Sequence, residues 1–207
     1  MTVPDTLALE ILGRHGTPDE LASWNSIADV INSPDGPSYV EPLVRLYMGM
    51  FDRLPDVADP NGNFDSPPQS GFWVNVNLLR DGHISLVDMA EAFAQSQEGF
   101  AHFGVAAQLH IPPSAGFIQN LYETLLNREG SSAEIASWQH LNLDVAHVVL
   151  GFTESTEYKA DTYRFDITPN APPPAPTIYD SFLVAAGAAH PDQHIDVVGS
   201  SPAIHLI

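Results

Sequence analysis

The chain has 207 residues, with 26 Asp and Glu against 7 Lys and Arg and a formal net charge of −19. A surface this acidic repels phosphate backbones and anionic headgroups, which excludes nucleic acid and charged membranes as natural partners; it suits divalent cations, saline surroundings, a basic partner or plain solubility. Cysteine is absent, so disulfides and thiolate metal centres are excluded too.

In chain order, the first segment (1–40) is read as a partial helical unit. Leu12-Gly13-Arg14 makes a turn, Thr17-Pro18-Asp19-Glu20 reads as a helix start, and Trp24 follows, with Pro34, Gly36 and Pro37 as breakers. Most of an opening helix is expected to be missing, so the unit reads as a cap on its neighbours. The start itself, Met1-Thr2-Val3-Pro4-Asp5, has neither the basic cluster nor the apolar run of a secretory leader.

The second segment (41–113) opens with a helix through Leu43, Leu46, Tyr47 and Met50, followed by Arg53. An acidic insertion follows, in which Asp59, Asn61, Asn63 and Asp65 alternate as oxygen ligands do in calcium loops. Position six from Asp59 is Phe64 and position twelve is Ser70, so the EF-hand pattern fails. Two readings stay open: a calcium site completed by Asp52 or Asp56, or an Asx/Pro/Gly turn that projects before a helix. Ser66-Pro67-Pro68-Gln69 is read as the next helix start, with Trp73 seven residues beyond Ser66. Trp73, beside the acidic insertion, is the candidate sugar platform; the two other tryptophans read as core anchors. Ile84 to Phe93 is expected to be helical, capped by Ser85 with Asp88 at the third position.

The third segment (114–166) is the clearest. Phe117, Leu121 and Leu125 mark one helix face, Gly130 is placed as a left-handed cap, and Ser131-Ser132-Ala133-Glu134 is a capping box leading to Trp138. Val145 to Phe152 adds an apolar run, and Ser155-Thr156-Glu157 starts another helix. The spacing repeats: Arg14 to Thr17 and Arg128 to Ser131 are three residues, Thr17 to Trp24 and Ser131 to Trp138 seven. Tyr47 precedes Arg53 by six, as Tyr122 precedes Arg128. Arg14, Trp24, Arg53, Arg128, Trp138 and Glu157 are therefore read as repeat positions. Each arginine ends the first helix of its unit, where the dipole favours it, and is expected to pair with the carboxylate that closes the unit: Asp35, Glu98 or Glu157.

The string L-Y-x-x-L-L-x-R-E, a short loop, A-S-W, then G-F-x-x-S-x-E-Y resembles the bacterial domain of unknown function 4214 family. The likeness is good over Phe117–Tyr158, fair over Pro42–Phe103 and fragmentary over Asp5–Asp35, and rests on Tyr122, Arg128, Trp138, Phe152, Ser155 and Glu157. The resemblance implies secreted or surface proteins, often beside calcium-binding nonapeptide repeats and S-layer components, and a distant kinship with phycobilisome linkers. It carries over no catalytic residues. This chain departs from it in the insertion before Ser66 and in lacking glycine-rich nonapeptides.

Residues 167–177 are proline-rich and read as a stiff extended linker. Beyond them, 178–207 form an apolar arm in which Ile195, Val197, Ile204 and Leu206 alternate like short strands. Such an arm is expected to dock on the helical body, pair with another subunit or serve as an export or anchoring signal, with engagement between molecules favoured. No run is long enough to span a membrane, and no nucleophile elbow, phosphate loop or zinc-helix motif is present. His190 and His194 are separated by Pro191, and His140 and His147 are expected to face a neighbouring helix rather than a metal.

The expectation is a mainly α chain: degenerate helical repeats in one bundle-like body, a proline-rich linker and an extended arm. The expected role is a non-catalytic structural or adhesive module outside the bacterial cell, in a surface layer, adhesin or virus-like particle, exported without an N-terminal signal or as part of a particle. Surface polysaccharide is its expected ligand and calcium its expected ion. The other reading is an assembly linker without a ligand, whose arm docks into a neighbouring subunit by self-association or on other particle subunits.

Overall fold

The computed structural model describes residues 3–56, 70–103 and 111–162, and among these residues every regular element is a helix. The linker, the arm and its alternating segments lie outside the described residues, as do Asp59, Asn61, Asn63 and Asp65 of the acidic insertion.

The first unit is α1 (Val3–Leu12), α2 (Pro18–Ser23) and α3 (Ile27–Ile31). The opening helix is thus present, contrary to the expectation of a truncated unit: Leu7, Ala8, Ile11 and Leu12 supply the apolar face, all buried. A short π-helical segment, Gly36–Val40, follows, and the chain runs from it directly into α4 (Glu41–Phe51) without an intervening loop. Pro37 and Pro42 sit in the first turns of these two elements, where a missing N–H removes no helical bond.

The second unit continues with α5 (Gly71–Arg80), α6 (Leu86–Gln95) and α7 (Gln97–Phe103). The third is α8 (Ala115–Leu125), α9 (Ser132–His140), α10 (Val145–Thr153) and α11 (Thr156–Thr162). Ser85 caps α6 with Asp88 answering, and Ser131 caps α9 with Glu134 answering, both in the capping-box arrangement. The same device starts α2 at Thr17–Glu20 and α3 at Ser26–Asp29.

One core runs from Leu7 to Tyr158. Its axis is α4, buried nearly all round: Leu43, Val44, Leu46, Tyr47, Met50 and Phe51 are enclosed by neighbours on every side. The π segment, α6, α7 and α10 pack against α4, and α10 also lies along α6. Tyr47 meets Phe51, Phe72 and Phe93 edge-to-face at its centre, and Phe51 lies tilted on Phe93, with centroids 4.8–5.9 Å apart.

Two local expectations change. The helix that carries Trp73 starts after Ser70 rather than at Ser66, so Trp73 lies in the first turn of α5, whereas Trp138 lies in the last turn of α9 and Trp24 is the C-cap of α2. The three indoles therefore do not occupy one equivalent corner. Gly130 is not the left-handed residue after α8; Asn127 is, with φ 50°.

Candidate functional site

Each unit closes its first helix in the same way. After α1 comes Gly13 with φ 68°, after α4 Asp52 with φ 52°, and after α8 Asn127 with φ 50°. In all three the next residue is arginine: Arg14, Arg53 and Arg128. The left-handed residue turns the chain back, so the arginine side chain leaves across the end of the helix it has just closed.

The contacts repeat as well. Nη1 of each arginine donates to the carbonyl of the following residue, His15, Leu54 or Glu129. Nε donates to the carboxylate that closes the unit: Asp35 Oδ2 at 2.6 Å, Glu98 Oε1 at 2.6 Å and Glu157 Oε1 at 2.5 Å. Arg14 and Arg128 take a second carboxylate, the Glu of the following capping box: Glu20 at 2.8 Å and Glu134 at 2.9 Å. Glu20 and Glu134 thus serve the helix start and the arginine together. The guanidinium of Arg53 lies over the ring of Tyr47, and that of Arg128 over Tyr122, 5.4 and 4.6 Å from the centroids.

These clamps account for most of the displaced titrations. Hydrogen bonds from Arg14 hold Glu20 at about 2 instead of its ordinary 4.5. Those from Arg128, helped by Ser131, bring Glu134 to about 2. Glu98 and Glu157 are lowered by Arg53 and Arg128, while Arg14, Arg53 and Arg128 are raised by the carboxylates they hold.

Two further arginines cross between units, and neither was anticipated. Arg45 on α4 is buried, and its Nη2 meets Glu154 at 2.8 Å while its Nε donates to the Thr153 carbonyl at the end of α10. Its Nη1 also lies 3.5 Å from the buried Glu41. Arg80, at the end of α5, donates to the Leu12 carbonyl at the end of α1 and approaches Asp35 Oδ2 at 2.8 Å. Burial pushes Arg80 below the usual arginine range, with Asp35 opposing. Both therefore join a helix end of a neighbouring unit, each beside a carboxylate.

The tryptophans divide by surroundings. Trp73 is 1% exposed and packs edge-on against Phe72, its ring covering Gly13 so closely that an added Cβ would fall 2.3 Å from Cε3. An enclosed indole offers no face to a sugar, which corrects its reading as a ligand platform. Trp24 is buried over Gly16. Trp138 is half-buried, stacks on Phe152 at 4.9 Å over Gly151, and donates from Nε1 to Tyr122 Oη.

Among the described residues one group has a metal-like disposition: Glu91, Asp144 and His147, with ligand atoms within 4.8 Å of one another. Asp144 Oδ1 is already the N-cap acceptor for His147 N and lies 2.8 Å from His147 Nδ1. The amino end of α10 also disfavours a cation there. This is a capping arrangement facing α6. His140 is exposed, so of the two histidines only His147 faces a neighbouring helix.

A helix, a left-handed residue, an arginine clamp and a capped second helix together define a class of small all-α module in which charged groups serve as cross-links. Residues 110–162 are a domain of the family described as Domain of unknown function (DUF4214). No curated protein and no solved structure matches the chain.

Proposed function

We propose that this protein is a non-catalytic structural module of a bacterial surface assembly, working outside the cell. What supports the reading is the use to which its charged groups are put. The displaced carboxylates Glu20, Glu98, Glu134 and Glu157 are each held by an arginine that braces a helix turn, not gathered around a cleft. The resemblance over Phe117–Tyr158 supplies the surface setting, and the acidic composition suits a partner with basic patches.

Of the two forms this role can take, assembly is preferred over polysaccharide binding, because the aromatic residue suggested for the sugar is sealed in the core. The apolar arm after the proline-rich linker is the element proposed to reach a neighbouring subunit. Sedimentation of the full chain and of a chain ending at Arg164 tests this: the full chain should form oligomers that the shortened one does not. Equal sizes would remove the arm from the proposal. Protease shaving of intact cells tests the location, since a protein that stays protected until lysis is not on the surface. Calcium is retained only as a proposal for the acidic insertion, checked by calorimetric titration of the full chain against the Asp59→Asn/Asp65→Asn double variant.

A further inference from the structure

The family match covers 110–162, yet the helix that anchors this segment packs mainly on something else. The buried residues of α10 are Val145, Ala146, Val148, Val149, Phe152 and Thr153, and they lie against α4 and α6 of the preceding unit far more extensively than against α8 of their own. Gly49 of α4 is the point of closest approach: an added Cβ there would stand 2.4 Å from Thr153 Cγ2 and 3.0 Å from Val149 Cγ1. Polar contacts follow the same seam. Arg45 joins Glu154 and the Thr153 carbonyl, and Tyr158 Oη meets Met48 Sδ at 3.8 Å. By contrast α9, between α8 and α10, buries no residue fully.

We infer that 111–162 is not a free-standing domain but one half of a two-unit fold, and that the α10 face is a docking surface whose fitting partner is a helical unit of the same kind. The partner in this chain is 41–103. Its resemblance to 111–162 is specific: both carry a left-handed residue and an arginine after the first helix, a tyrosine six residues before that arginine, and a Ser-x-Glu closing turn, Ser96 to Glu98 and Ser155 to Glu157. A face of small β-branched residues opposite a glycine permits close helix approach. An arginine that binds the far helix end fixes the register of the two units.

The consequence is cooperative: α4, α6 and α10 should open together or not at all. Native-state amide exchange on the full chain in graded urea measures this. Amides of Glu41–Phe51, Leu86–Gln95 and Val145–Thr153 should merge into one exchange isotherm. Gly49→Ala, made in α4, should lower protection in α10 by the same factor as in α4, roughly tenfold. Val149→Ala, made in α10 and milder, should do the same in the opposite direction and serves if Gly49→Ala does not accumulate. Protection of α10 that survives when α4 has opened, or losses confined to the substituted helix, would overturn the inference.

Discussion

At the scale of residues, the positions before the three clamp arginines carry different side chains in one backbone state. Gly13 takes a positive φ at no steric cost, whereas Asp52 and Asn127 hold a Cβ against the preceding carbonyl. Asn127→Gly and Asp52→Gly are therefore expected to raise stability by about 0.5 to 1 kcal/mol each, the strain relieved exceeding the added freedom of the unfolded chain. Urea midpoints against the parent chain check this, and a loss in both would mean that the side chains themselves hold the turns. Arg45→Met should act the other way. It removes the cation beside the buried Glu41 and breaks the pair with Glu154, costing about 3 kcal/mol, read from the same midpoints. Gly13→Ala meets both a positive φ and the Trp73 ring, so it should not yield folded protein at growth temperature.

At the scale of elements, short helices depend on their first turns. The second helix, α2, has six residues and no fully buried side chain, so its Thr17–Glu20 capping box and the Arg14 clamp are what hold it. Thr17→Ala should lose about 1 kcal/mol and drop the thermal midpoint accordingly. Capping of this kind is legible in sequence because donor and acceptor are three residues apart: Thr17 with Glu20, Ser85 with Asp88 and Ser131 with Glu134 were all readable. The clamps were legible through recurrence, since the same arginine and closing carboxylate return three times. Arg45 and Arg80 were not, because their partners lie 109 and 68 residues away and leave no periodic trace. Trp73 misled for a related reason: the insertion hid the true start of α5, and equal spacing from Ser66 imitated a repeat. Gly130 reads as the left-handed cap on conformational freedom alone, while Asn127, a residue that also tolerates that state, adopts it.

At the scale of the whole molecule, an acidic chain is held in shape by a few cations placed where helices end. Because Glu20, Glu98, Glu134 and Glu157 have folded values below their unfolded ones, the stability they contribute is complete above about pH 5. It is lost as pH falls towards the value of about 2 reached by Glu20 and Glu134. Urea midpoints should hold steady from pH 7 to pH 5 and then decline, and Arg14→Gln should flatten that decline. An unchanged slope would show that acid acts elsewhere.

The π-helical stretch Gly36–Val40 hands the chain to α4 with no slack between them. A helix turns by about 100° per residue, so removing one residue from 36–40 would rotate everything beyond it by more than a quarter of a circle. Arg80 would swing away from the Leu12 carbonyl and Asp35, and the Trp73 ring would no longer cover Gly13. Length at this junction is thus a tuned quantity, and substitutions there should be accepted far more readily than any change in the number of residues.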